Sequence, residues 1–134
     1  MTNEREIQYL SLADVVALHA VTMERTGFAL APLRAEATLD SAIQRPRTAA
    51  YYEDADLIRQ AALLAVGISQ PQAFIDGNKR TAFGVLDVFL RLNGSQFSGE
   101  PVALAQQLEQ VAERSDSLAA ATDRFEAWLR AHLT

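Results

Sequence analysis

Apolar residues recur along this chain at intervals of three and four, the period of helices with one buried face. Ser11 followed by Asp14 reads as a helix cap, and Val15, Val16, Leu18 and Met23 then place a first helix at about 12–26, closed by Gly27. Leu39 and Ile43 carry a short second helix from Ala35 to Gln44, where Arg45-Pro46 is expected to stop it. From Asp54 and Asp56 a third run, Leu57 through Ile68, is apolar on nearly every side and predicts a central, buried helix. Tyr51 and Tyr52 then fall in the loop before it, either covering the core or touching a partner.

After the polar stretch 69–78, helical spacing resumes from Arg80 to Asn93 with Phe83, Leu86, Phe89 and Leu90, and Asn93-Gly94 closes it. A token extended piece surrounds Phe97. Pro101 suits the first position of a fifth helix bearing Leu104, Leu108 and Val111. Ser115-Asp116-Ser117 offers caps for a sixth, with Leu118, Phe125, Trp128 and Leu129 at helical spacing. The expected architecture is all-α: about six helices in a single domain, 1–134, in which a buried helix pair flanks a structured turn.

Composition narrows the chemistry. Twelve Lys plus Arg against seventeen Asp plus Glu give a net charge of −5, which argues against a surface that grips nucleic acid directly along its length. There is no cysteine, and the two histidines, His19 and His132, cannot assemble a multi-histidine zinc site. His19 shares a face with Val15 and Met23 and reads as a hydrogen-bonded boundary residue; His132 reads as a helix C-terminal dipole partner. No apolar run suits a membrane span or a secretory signal, so the expected location is the cytoplasm, with no membrane partner.

Eleven of the basic residues are arginines and one is a lysine, Lys79. That lysine stands in Phe74-Ile75-Asp76-Gly77-Asn78-Lys79-Arg80-Thr81, the densest collection of polar and conformationally special residues in the chain, wedged between its two most apolar helices. The pattern describes an anion site. Gly77 can turn successive backbone N–H groups into one concavity, and the next helix adds its free N–H groups and positive dipole end. Asn78 supplies an amide donor, while Lys79 and Arg80 supply charge, the arginine gripping two phosphate oxygens and the lysine acting as a point charge. Asp76 is a hard oxygen donor suited to a Mg²⁺ that bridges phosphates. The plain alternative is a turn with a cap and two solvated cations. A Walker A loop is excluded, because Asn78 rather than glycine precedes Lys79 and the glycine spacing is absent.

The stretch Phe74 to Arg80 resembles the signature loop of the Fic/Doc superfamily, in its death-on-curing (Doc) branch. That branch carries Asn-Lys-Arg where Fic adenylyltransferases usually carry Asn-Gly-Arg. Ser41-Ala42-Ile43-Gln44-Arg45-Pro46 and Phe89-Leu90-Arg91-Leu92-Asn93-Gly94 resemble two further segments of the branch, in the same order. The resemblance implies the six-helix Fic/Doc fold and a bacterial toxin that transfers the γ-phosphoryl group of ATP to a threonine of elongation factor Tu, arresting translation. It implies that Phe74 anchors the loop, Asp76 holds Mg²⁺, Gly77, Asn78 and Lys79 shape the phosphate cradle, and Arg80 clamps phosphate. It also implies restraint in trans by a cognate small, Phd-like antitoxin whose C-terminal segment folds against the toxin, since the internal inhibitory motif of some relatives is missing here.

One residue departs from the pattern. The family's histidine, the general base on the acceptor hydroxyl, is here Gln72, and an amide can accept a hydrogen bond but cannot take up the proton. A divergent branch that uses another base, such as Asp76, or needs none, a binder without catalysis, and an introduced inactivating substitution all fit that glutamine. The alternatives to a Doc-type phosphotransferase are therefore a catalytically silent Fic/Doc-fold binding module and a Fic-like adenylyltransferase, the latter disfavoured by Lys79.

Overall fold

Side-chain caps and one glycine set the helix ends. The computed structural model describes residues 6–25, 36–69 and 78–134. Its helices are α1 (Leu12–Arg25), α2 (Glu36–Glu53), α3 (Leu57–Ser69), α4 (Asn78–Leu92), α5 (Pro101–Ala112) and α6 (Leu118–Arg130). Ser11 and Asp14 form a reciprocal capping box at the start of α1: the Asp14 N–H donates to Ser11 Oγ at 3.1 Å, and the Ser11 N–H to Asp14 Oδ2 at 2.9 Å. These bonds hold the Asp14 carboxyl below its ordinary value. Asp56 caps α3 by accepting the Arg59 N–H at 2.9 Å, and Ser117 caps α6 by accepting the Ala120 N–H at 3.0 Å. At the far end of α4, Gly94 adopts φ 83° while the Ser95 N–H reaches back to the Leu90 carbonyl at 2.8 Å, a Schellman closure.

α3 is the axis of the molecule. Every residue from Gln60 to Ser69 is buried, with α2, α4 and α6 packed around it. The one large polar residue of that buried stretch is satisfied: Gln60 accepts from the Tyr9 hydroxyl at 2.7 Å and donates to the Ala55 carbonyl at 2.9 Å. Partial burial raises the Tyr9 phenol above its ordinary value, against the nearby Arg47 guanidinium that lies 4.5 Å over its ring. α4 adds Ala82, Val85, Leu86, Phe89 and Leu90 to the same core, and α5 and α6 close it with Leu104, Leu108, Phe125 and Leu129. The fold is all-α, as the spacing predicts. The extended piece at Phe97 exists as an isolated antiparallel bridge to Leu133.

Three expectations need correction. The second helix does not stop at Arg45-Pro46; α2 runs on to Glu53 with Pro46 inside it. Proline removes one backbone hydrogen bond and costs about 3 kcal/mol in a helix interior. Here that loss is outweighed by the burial of Ala42, Ile43, Pro46 and Ala49 on one face of α2. Gly67 of α3 permits the contact, since a Cβ there would lie 3.1 Å from Ala42 Cβ. Tyr51 and Tyr52 accordingly belong to the last turn of α2 and stand 82% and 78% exposed, so they do not cover the core. The chain leaves the helix at Asp54, in the left-handed region at φ 54°. Lastly, His19 is no boundary residue: it is 1% exposed, with Nδ1 2.9 Å from Thr81 Oγ1, joining α1 to α4.

Candidate functional site

α4 begins at Asn78, two residues earlier than the periodicity suggests, so Asn78, Lys79 and Arg80 all lie in its first turn. The first backbone N–H groups of a helix have no intrahelical acceptor, and the dipole there is positive. Lys79 and Arg80 add two side-chain cations to that end. This turn is fixed from behind by Thr81, fully buried and facing His19, and by Ala82, fully buried in the core. Buried contacts immediately C-terminal to the cations thus hold them in place.

Lys79 Nζ lies 2.9 Å from Glu109 Oε2, tying α4 to α5, and the two side chains are about half exposed. The same contact pulls the Glu109 carboxyl below its ordinary value, chiefly because the ammonium donates to it. Arg80 is exposed at the start of the helix. Both cations border a groove of about 410 Å³ between α1, α4 and the beginning of α5. Its walls are mainly apolar, with Leu18 and Val21 from α1 and Phe83 and Val88 from α4; Arg25 stands with Lys79 and Arg80 among its lining residues, and Asp87 adds one carboxylate. An apolar trough with cationic side chains suits a ligand that is partly hydrophobic and partly anionic.

Of the residues expected to form the site, Lys79 and Arg80 both border this groove. Asn78 opens α4, and its side chain lies outside the described residues, as do Gln72, Phe74, Asp76 and Gly77. Two participants were not foreseen, Glu109 and Arg25. Glu109 sits beside Leu108 on a helix read only for its apolar face, and nothing in local spacing marks it as the partner of Lys79. His132 does take the helix-end role expected of it, with Nδ1 2.8 Å from the Trp128 carbonyl and its ring stacked on Trp128. Asp87 and Arg91 pair along α4 at 3.0 Å.

A family model described as the Fic/DOC family matches residues 9–90. The chain belongs to that family. It is 38% identical over 96 residues to a Mycolicibacterium smegmatis protein named Toxin Doc, an alignment that covers 66% of this chain and 74% of the relative. It is 34% identical over 98 residues to Protein kinase doc of Escherichia phage P1, covering 71% of this chain and 75% of that protein. The Doc branch, expected from the Asn-Lys-Arg run, is therefore the branch to which this Fic/DOC chain is similar. Among the described residues no helix is long and apolar enough to cross a membrane.

Proposed function

We propose that this chain is a Doc-type toxin of a bacterial toxin–antitoxin pair, built to transfer the γ-phosphoryl group of ATP to a hydroxyl of a translation factor resembling elongation factor Tu, in the cytoplasm. The observation that carries the reading is the first turn of α4. Lys79 and Arg80 stand there side by side, held by buried neighbours, on a helix end that already favours anions. Support comes from the similarity to proteins named as a toxin and as a protein kinase.

In this reading Arg80 clamps phosphate oxygens, and Lys79 and the α4 N–H groups fix the polyphosphate in line with the acceptor. Gly77 and Asn78 complete the cradle and Phe74 anchors it. Asp76 is the carboxylate that would hold a Mg²⁺, a hard oxygen donor of the kind that cation takes, and the cationic residues that follow it in the sequence fit a polyphosphate ligand. The bound metal would neutralise charge on the transferring group. Phosphoryl transfer depends chiefly on such positioning and charge stabilisation. Gln72, at the position of the family's general base, can orient the acceptor hydroxyl but cannot remove its proton, so the chain works at about 10²–10⁴ below the rate a histidine would give.

The apolar groove between α1 and α4 supplies the remaining partner. A Phd-like antitoxin's C-terminal segment, folding as an amphipathic helix, would lay its apolar face on Leu18, Val21 and Phe83 and offer acidic side chains to Arg25 and Lys79. Gln72 also favours a second reading, a silent module that keeps the fold and antitoxin binding without transfer. Induced expression of the chain and of Gln72→His in a bacterial host, with translation followed by labelled methionine, separates the two. The toxin reading expects arrest by Gln72→His, weaker arrest by the parent chain, and relief when the antitoxin is coexpressed. Unimpaired translation with both proteins would overturn it in favour of the silent module.

A further inference from the structure

Lys79 is the only lysine of the chain, and its ammonium is already engaged. α5 is pressed against α4 by Leu104 and Leu108, both fully buried, and this fixes the next residue, Glu109, within reach of the first turn of α4. Oε2 takes a hydrogen bond from Nζ at 2.9 Å, with both side chains open to solvent on one side. The ammonium that the proposed function assigns to phosphate thus meets a carboxylate contributed by another helix. A lysine has three donors but one charge, so a polyphosphate and Glu109 act on the same cation, and each is repelled by the other.

We propose that Glu109 is the resting counter-ion of Lys79 and sets the affinity of the site for phosphate: a polyphosphate has to draw the ammonium away from α5 as it binds. This rests on the reading of Lys79 as a phosphate-binding residue. Glu109 acts through Lys79 and is a positioning residue, not a catalytic one. The arrangement holds the lone lysine in one orientation across the α4–α5 gap and keeps the cationic turn neutral on that side until a stronger anion arrives. It also makes α5 sensitive to occupancy, because binding releases one of the ties between the two helices.

The test compares the full chain with Glu109→Gln, which keeps size and a hydrogen-bond acceptor but no charge. Calorimetric titration with ATP and with tripolyphosphate is expected to show Glu109→Gln binding both about two- to fivefold more tightly, the scale on which single half-exposed ion pairs act. Glu109→Asp is expected to restore the parent affinity. In the Lys79→Met background the same Glu109→Gln change should give a clearly smaller gain, since only the direct carboxylate–phosphate repulsion remains, a coupling that a purely structural role for Glu109 would not produce. In transfer assays the KM for ATP should fall while kcat stays within about twofold.

A second readout does not depend on nucleotide at all. Biosynthetic ε-¹³C-lysine labelling gives one signal, from Lys79, which Glu109→Gln should displace in the ligand-free protein. An undisplaced signal overturns the ion pair and the proposal with it. Equal affinities for parent and variant, or a gain undiminished in Lys79→Met, overturn the proposal while leaving the phosphate site standing. Failure of both proteins to bind either ligand overturns the phosphate reading itself, and so also the role given to Glu109.

Discussion

Replacing Asp56 separates two stabilising roles that meet in one carboxylate. Oδ1 accepts the Arg59 N–H at 2.9 Å and so caps α3, and both carboxylate oxygens receive Arg130 Nη2, at 2.8 and 2.9 Å. Asp56→Asn keeps the cap, since asparagine serves as well at that position, but weakens the pairing with Arg130. Asp56→Ala removes both. An exposed pair contributes about 0.2–1 kcal/mol, and a lost cap costs about 1 kcal/mol. The expected losses are therefore below about 1 kcal/mol for asparagine and about 1.5 kcal/mol for alanine. With an unfolding entropy near 2.1 cal/mol/K per residue over 134 residues, 1 kcal/mol moves Tm by about 3–4 °C. Thermal melts at pH 7 should then fall by up to about 4 °C for asparagine and about 5 °C for alanine.

The acid limb provides the internal check. Arg130 first, and the Arg59 N–H after it, hold the Asp56 carboxyl below its ordinary value of 3.8, against the opposing effect of partial burial. A depressed folded-state value means that the stabilisation is complete above the ordinary value and is lost as pH falls through the depressed one. The difference between the parent and Asp56→Asn should thus be constant from neutral pH down to about 5 and disappear in strong acid. Equal destabilisation by asparagine and alanine would refute the capping assignment. A difference that grew on acidification would refute the ionic one.

Two further perturbations probe the framework around the site. Gly67→Val forces a branched side chain against Ala42, where even a bare Cβ would sit 3.1 Å away, and should cost about 1–3 kcal/mol in urea unfolding; an unchanged midpoint would mean that α2 and α3 separate easily. Thr81→Val removes the hydroxyl facing His19 behind the cationic turn and should cost about 1–3 kcal/mol, with Thr81→Ser recovering most of it. A fully stable Thr81→Val protein would show that this buried contact does not fix the start of α4.

The parts legible in the sequence are those decided by local chemistry. Ser11, Ser117 and Asn93-Gly94 mark helix ends because the capping atoms are close neighbours along the chain. The apolar run from Leu57 to Ile68 announces the central helix because no face of it is polar enough to meet water. Pro46 misleads for the same reason: proline's penalty is local, whereas the contacts that overcome it lie on α3 and come from tertiary packing. His19 is likewise buried by its partner on α4, which its own stripe of neighbours does not reveal. Lys79 and Arg80 stand out by type and setting, but the periodicity starts the helix at Arg80 and does not show that both lie in its first turn. Glu109, which meets Lys79 from another helix, carries no mark in the sequence.

In the proposed function the α4 turn orients ATP for γ-phosphoryl transfer and Gln72 limits the rate. The most direct measurement incubates the parent chain and Gln72→His with Mg²⁺, elongation factor Tu, and ATP labelled at either the α- or the γ-phosphate, scoring label on the factor. The account predicts γ-label from Gln72→His at a rate about 10²–10⁴ above the parent, and no α-label from either. Transfer of α-label would make the protein an adenylyltransferase and contradict the role given to Lys79, while no label of either kind from Gln72→His would contradict the assignment of this site to phosphoryl transfer.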